Sequence, residues 1–324
     1  MERVFLPIYL VLFIGALYLN KYLEKHRYLE RTTFKLLRKI AIVIGIICFI
    51  ITIFTLFFNF SFEKDKYGWA IDYINYSKLH NYSKGKSQKI ALIDSGISKF
   101  QIEKDNKNAV SLTGGIYDVN GHGTMMYSII KGYKNDIYGI APDAEVLSIK
   151  VMETEEKINP SVIADAINLA ISKKCTIIVL CIGSYIFNQN ISDALKCALN
   201  ERITLVSSSG DYQNNDMMFP ASELGVISVG SLSANKNISD FTNAPSDCTI
   251  LAPGDEIKTV NNKGMITFTS GTSQATSIIA GYVALLRDYS LQKNIIMNNK
   301  EIRSILESIN NKKTTYIDPF LSNK

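Results

Sequence analysis

Three residues in this sequence could together carry out nucleophilic acyl transfer. Asp94 ends the apolar run KIALID, His122 lies between two glycines in NGHGT, and Ser273 begins the apolar segment SQATSIIAGYVALL. A serine hydroxyl is a weak nucleophile until an imidazole takes its proton, and a carboxylate holds that imidazole in the required tautomer. The order Asp, His, Ser, each at a strand end or helix start, therefore predicts a catalytic triad.

Each of these residues also has a simpler interpretation. Asp94 could cap a turn, His122 could be an ordinary loop histidine, and Ser273 could be a helix N-cap. The other two histidines, His26 and His80, lie in the basic N-terminal part and in a polar segment. We favour the triad because a purely structural protein has no need of all three groups.

The elements that must position these residues alternate between short apolar strands and amphipathic helices after residue 88. We predict strands at 89–93, 145–151, 175–182, 203–207 and 226–229, and helices at 160–173, 190–200, 273–289 and 299–309. This alternation is typical of an α/β fold, a parallel sheet with helices on both faces. Functional groups then gather at the carboxyl ends of the strands.

Two apolar runs precede that domain and predict a membrane anchor over 1–62. The run 40–60 has no charged residue, is apolar all round, and is long enough to span a bilayer as a helix. The run 4–19 is shorter and could be a second span, a signal peptide or an interfacial helix. We favour a short first span because no small-residue cleavage pattern follows it.

The basic residues predict the orientation of this anchor. Residues 1–62 hold eight Lys or Arg and three Glu, so they account for the whole net charge of +5. The rest of the chain is neutral overall, which argues against nucleic acid as a partner. Seven of the basic residues lie in the loop 20–39, which we therefore expect in the cytoplasm. The chain would then be a multi-pass protein of the cell membrane, with its catalytic domain extracellular and the lipid bilayer as a partner.

The motifs resemble those of the subtilisin-like serine peptidases over nearly all of 67–310. They are DSG at 94–96, GHGT at 121–124, GIAPDAEVLSIKVM at 139–152 and GTSQAT at 271–276, and 68–88 is similar to the helix and loop that open the mature domain of the family. The resemblance implies a subtilisin-like fold and a serine endopeptidase acting on peptides or proteins. We therefore expect a juxtamembrane segment that starts the domain at 63–88 and the peptidase domain at 89–324.

The resemblance also implies a substrate site. The segment LCIGS at 180–184 would pair with the substrate backbone, and SSSGD at 207–211 would form the opposite wall of the first subsite. The implied contact residues are Ile182, Gly183, Ser184, Ser208, Ser209, Gly210 and, near the bottom, Met218 next to the family turn at Pro220. Because neither Ile182 nor Met218 is charged, we expect an apolar side chain of modest size there.

Asp211 departs from the family, which usually has an asparagine that donates to the oxyanion. An ionised Asp211 has no donor, and losing such a donor costs about 2.7–4 kcal/mol of transition-state stabilisation. Three alternatives stay open: burial could keep Asp211 protonated, a shifted alignment could bring Asn214 or Asn215 there, or the loop could turn Asp211 away. The departure also favours an alternative function, a catalytically impaired peptide-binding scaffold.

Cofactors and additional domains are not indicated. The cysteine spacings match no zinc pattern, no cluster of oxygen ligands is specific for calcium, and we expect neither a metal nor a cofactor. Structural calcium is nevertheless possible, because it often stabilises members of this family. Cys175, Cys181 and Cys197 lie in apolar stretches, where a free cysteine acts as a small hydrophobic residue, and we expect no structural disulfides. No room for an inhibitory prodomain is expected between the apolar run and Trp69.

Overall fold

The computed structural model describes residues 68–104, 108–153 and 158–321, together with 21–22, 36, 39–40, 42–47 and 49–50. Contacts divide the chain into two units, Met1–Lys66 and Tyr67–Lys324. Within the described part, no helix combines the length and apolar character that a bilayer span requires. The span expected at 4–19 lies outside the described residues, as does most of the span expected at 40–60, so both stay predictions.

Among the described residues of the second unit, seven strands form one parallel sheet. They are β1 (Lys89–Asp94), β2 (Ala109–Ser111), β3 (Glu145–Lys150), β4 (Ile177–Leu180), β5 (Thr204–Ser208), β6 (Ile227–Leu232) and β7 (Ile250–Pro253), in the order β2-β3-β1-β4-β5-β6-β7. A separate antiparallel hairpin joins β8 (Ile257–Val260) to β9 (Ile266–Thr269). The predicted parallel sheet is confirmed.

Helices cover both faces of this sheet. They are α1 (Trp69–Ile74), α2 (Tyr76–Leu79), α3 (Lys99–Lys104), α4 (His122–Lys131), α5 (Pro160–Ser172), α6 (Gln189–Asn200), α7 (Thr272–Gln292), α8 (Asn299–Asn310) and α9 (Asp318–Leu321). The strands are buried on both sides: Ile90 and Leu92 of β1 join one apolar layer with α4 and α7, whereas Ala91 and Ile93 join the other with α5 and α6. Burial on both faces explains why β1 is an unbroken apolar run.

The register of the strands brings distant residues to one edge. Ile93 of β1 is opposite Leu180 of β4, and Leu180 is opposite Ser207 of β5. The residues that follow, Asp94 and Cys181, therefore lie side by side at the carboxyl edge of the sheet. Helix α7 is buried along almost its whole length and packs against β4, β5, β6 and β7, so its first turn reaches the same edge.

Some elements differ from the prediction. The strand expected at 226–229 is the longer β6, while β2, β7, the β8–β9 hairpin, α3 and α9 were not predicted. Cys175 and Cys181 are buried free thiols, whereas Cys197 is a free thiol exposed on α6. Helix α6 alternates between buried and exposed positions, and Cys197 lies on the solvent side, where a small apolar residue is tolerated.

Candidate active site

Asp94 and His122 are joined directly by hydrogen bonds. His122 Nδ1 lies 2.8 Å from Asp94 Oδ1 and 3.0 Å from Asp94 Oδ2. The Asp94 side chain is fully buried, whereas 16% of the His122 side chain remains exposed. With Nδ1 protonated and donating to the carboxylate, Nε2 is the nitrogen that can accept a proton.

A second buried carboxylate, Asp118, holds the loop that carries His122. Its Oδ1 accepts from Ser95 Oγ (3.0 Å) and Gly121 N (2.8 Å), and its Oδ2 accepts from Thr124 N (2.9 Å) and Thr124 Oγ1 (2.5 Å). These bonds tie the end of β1 to the start of α4, on either side of the Asp94–His122 pair. The sequence analysis missed Asp118; the signal that could have found it was a lone carboxylate four residues before His122.

Close backbone packing and a buried lysine fix the same loop. A Cβ on Gly123 would collide with the Gly96 carbonyl oxygen, so a glycine is needed where the His122 and Asp94 loops meet. Lys150 is 1% exposed; its Nζ donates to Tyr117 O at 2.7 Å and forms an ion pair with Glu153 at 2.9 Å. The lysine thereby anchors the residue before Asp118.

Ser273 lies in the first turn of α7, against the residue that follows β4. Its Oγ donates to the Cys181 carbonyl oxygen at 3.4 Å, and the Cys181 thiol lies 3.5 Å from the Ser273 carbonyl oxygen. Burial first, and then the carboxylates of Asp94 and Asp211, raise the pKa of the Cys181 thiol well above its ordinary value. A raised pKa makes the Cys181 thiol a poor nucleophile, because the thiolate is the reactive form.

Asp211 is exposed, contrary to the burial that could have kept it protonated. Its Oδ1 accepts from the backbone N–H of Thr272 at 2.7 Å, at the N-terminus of α7. A side-chain oxygen at this position caps the first turn of α7 and lies at the positive end of the helix dipole. Asn214 instead accepts from Asp216 N through its side chain. It is therefore Asp211, not Asn214, that lies beside the residue preceding Ser273.

The two walls expected for the substrate site are joined by a short floor, residues 218–219. Ser184 and Phe219 exchange two backbone hydrogen bonds of 2.9 and 2.8 Å, and Met218 N donates to Ser209 O at 3.0 Å. The wall 208–210 also reaches α7, because Gly210 N donates to Thr272 Oγ1 at 3.2 Å. Ser208 and Ser209 are buried, whereas Gly183 and Ser184 are exposed. The structure thus joins the two predicted walls to each other and to the first turn of α7.

No group of three or more His, Cys, Asp or Glu side chains within the described ranges is arranged to hold a metal ion. The polar groups of the site are instead used within the protein, in hydrogen bonds to neighbouring loops.

A parallel sheet that has a hydrogen-bonded Asp–His pair and a serine at a helix start along its carboxyl edge is typical of an α/β serine hydrolase. The chain belongs to the subtilase family, whose model matches residues 85–318, and it is a serine-type endopeptidase. The major intracellular serine protease of Bacillus subtilis (strain 168) is 32% identical over 226 residues, 64% of this chain and 70% of the relative. Subtilisin BL of Lederbergia lenta is 28% identical over 74% of this chain and 90% of its own.

A solved structure shares the fold. The structure of the prenylagaramide maturation protease PagA matches with a TM-score of 0.63 and 26% identity, covering 71% of this chain and 85% of that one. The subtilisin-like fold expected from the sequence is therefore confirmed for the second unit.

Proposed function

We propose that this chain is a membrane-tethered endopeptidase that cleaves peptide bonds with Asp94, His122 and Ser273. The observation that carries the proposal is the hydrogen-bonded Asp94–His122 pair at the sheet edge that Ser273 also reaches. His122 Nε2 takes the Ser273 hydroxyl proton while Oγ attacks the substrate carbonyl carbon. The same proton passes to the leaving amine, which leaves an ester on Ser273 that water then hydrolyses.

The first turn of α7 supplies the site for the oxyanion. Backbone N–H groups at a helix N-terminus are unpaired donors aligned with the positive end of the helix dipole. The Ser273 N–H is one such group at the attacked carbonyl. Asp211 lies where a second donor is expected, and its charge opposes the developing negative oxygen.

An extended peptide fits along the wall 182–184. Beside that wall lies a cavity of about 290 Å³ lined by Ile182, Gly183 and Ser184, by Ile163 of α5 and by Phe219, among others. Its lining is largely apolar. A peptide lying along this wall could place one apolar side chain in the cavity, several residues before the bond that is cut, which favours an endopeptidase that needs an extended substrate.

The tether suits the processing of exported peptides or proteins at the outer face of the cell membrane. Support comes from the apolar runs 4–19 and 40–60, from the basic loop between them, and from the similarity to PagA, which is described as a maturation protease. A tethered peptidase meets substrates in two dimensions, which raises their effective concentration.

Labelling by a fluorescent phosphonate that reacts with activated serines tests the proposal. We expect the parent to label and Ser273→Ala to lose both labelling and hydrolysis, because the covalent adduct needs that oxygen. Ser290→Ala, on the same helix far from the site, is the matched control and should label like the parent. Equal labelling of Ser273→Ala and the parent would refute the assignment.

The alternative is a subtilase-like scaffold that binds a peptide without cleaving it. The feature that favours it is the carboxylate of Asp211 beside Thr272. A scaffold would bind peptides along 182–184 with neither labelling nor hydrolysis. Measuring binding and hydrolysis on the same peptides separates the two functions.

A further inference from the structure

The Met218 side chain occupies the space between the two substrate walls. A Cβ added to Gly183 would lie 3.1 Å from Met218 Cβ and 3.5 Å from its Cε, and a Cβ added to Gly210 would lie 2.7 Å from Met218 Sδ. The side chain thus spans from one wall to the other. Met218 is 9% exposed, and its backbone is fixed by the bond from its N–H to Ser209 O.

A fully buried amide, Asn243, connects the loops that leave the two walls. Its Nδ2 donates to Tyr185 Oη at 2.7 Å, next to the wall 182–184. Its Oδ1 accepts from Tyr212 N (2.9 Å) and Asn214 N (3.0 Å), and its own N–H donates to Gly210 O (3.0 Å), next to the wall 208–210. The rings of Tyr185 and Tyr212 are 6.3 Å apart between centroids. We call the hydrogen-bonded pair Tyr185–Asn243 the bridge.

We propose that Met218 and the bridge close the first subsite, so that this peptidase cleaves after glycine or alanine and rejects larger side chains. The inference rests on the proposed function, in which the carbonyl attacked by Ser273 belongs to the residue whose side chain enters between these walls. The proposal is more specific than the expectation from the sequence, which was an apolar side chain of modest size in the first subsite.

A large substrate side chain cannot enter without moving protein atoms. Met218 would have to leave a packed position. The walls cannot separate freely, because both are bonded to the floor 218–219 and because Asn243 links Gly210 to Tyr185, the residue after the other wall. Packed interiors respond to such overfilling with strain rather than with smooth expansion. The selectivity for apolar side chains then comes from the separate cavity of about 290 Å³ beside Ile182.

The test uses four quenched fluorescent peptides that differ in the residue before the cut: Gly, Ala, Leu or Phe. For the parent we expect kcat/KM to favour Ala over Phe by about 100-fold, the range that steric exclusion by a pocket provides. Met218→Ala should lower this ratio at least about 10-fold. Tyr185→Phe keeps the ring but removes the bridge, and should lower it about threefold. Met265→Ala, an exposed methionine of the β8–β9 hairpin, is the matched control and should leave the ratio unchanged.

Thermal melts and phosphonate labelling show that each variant is folded. The proposed closure would be overturned if the parent had the same kcat/KM on the Phe and Ala peptides. It would also be overturned if Met218→Ala left the ratio of the two values unchanged. Calorimetric titration of the same peptides into Ser273→Ala separates closure from catalysis. Weaker binding of the Phe peptide would support closure of the first subsite, even if no peptide were hydrolysed. The absence of hydrolysis would instead refute the proposed function. Equal binding of both peptides would overturn closure alone.

Discussion

Replacing Asp211 by asparagine changes one atom of the candidate oxyanion site. The side chain could still accept the hydrogen bond from the backbone N–H of Thr272. The carbonyl oxygen of the new amide could still accept from Thr272 N, the bond that Asp211 Oδ1 makes at 2.7 Å. The amide nitrogen would replace Oδ2 and provide a donor where the carboxylate has a negative oxygen. We therefore expect Asp211→Asn to raise the turnover number.

The substitution is expected to change two separate quantities, the turnover number and the folding stability. A donor to the oxyanion contributes about 2.7–4 kcal/mol, or about 100- to 1,000-fold in turnover. Removing the charge sacrifices its interaction with the α7 dipole, about 0.3–1 kcal/mol of folding stability. Because Asp211 is exposed and solvent screens its field, we expect the lower end: about 100-fold faster turnover with a stability loss below about 1 kcal/mol.

The assay compares kcat of the parent, Asp211→Asn and Asp211→Ala on one peptide with alanine before the cut, from pH 6 to 9. Asp211→Ala removes the charge without adding a donor, so it should gain much less than Asp211→Asn. If the Ala variant were as fast as the Asn variant, relief of charge would explain the gain and the donor would not. An Asn variant slower than the parent at every pH would refute the reasoning, because the carboxylate would then assist the reaction.

Three further predictions concern the tether, the His122 loop and a buried carboxylate. Protease added to intact cells should degrade the domain after residue 62; protection until the membrane is broken would reverse the orientation. Asp118→Asn places an amide donor against buried donors such as those of Thr124, so it should lower the melting temperature and lower kcat about 100-fold, with little change in KM; an unchanged kcat would refute the positioning role. Burial alone would raise the pKa of Asp288, but hydrogen bonds from Ser87 and Ser83 outweigh it and hold that pKa below its ordinary value. The stabilisation by ionised Asp288 is thus complete above about pH 4 and is lost as pH falls through the lowered pKa. Asp288→Ala should cost about 2 kcal/mol of unfolding free energy at pH 7, and the difference from the parent in urea titrations should shrink towards pH 3; a constant difference would contradict this.

The core of the fold could be predicted because its strands are buried on both faces and its helices are amphipathic. The apolar run at 89–93 predicts β1, and the periodicity of 160–173 and 299–309 predicts α5 and α8. The short strand β2 and the β8–β9 hairpin were missed. Residues of β2 and β9 are partly exposed, and their pairing depends on contacts that no local pattern records.

The residues proposed to do chemistry are easier to recognise in the sequence than those that support them. Asp94, His122 and Ser273 are recognisable from their neighbours, whereas Asp118 and Asn243 act through hydrogen bonds to loops distant in sequence. The surroundings of Asp211 could not be deduced either, because exposure and the bond to Thr272 depend on how the loop after β5 meets α7. The side chain of Met218 was expected at the bottom of the subsite, but its reach from wall to wall needed the fold.

The position of α7 in the chain has a consequence for biosynthesis. Asp94 and His122 are synthesised early, but Ser273 belongs to a helix that also completes the apolar layer over β4 to β7. At about 5–20 residues per second, a ribosome adds Ser273 on the order of 10 s after His122. Throughout that interval the nascent chain lacks both Ser273, the proposed nucleophile, and the helix that covers the strands. The apolar layer over β4 to β7 therefore cannot be completed until the last part of the chain has been synthesised.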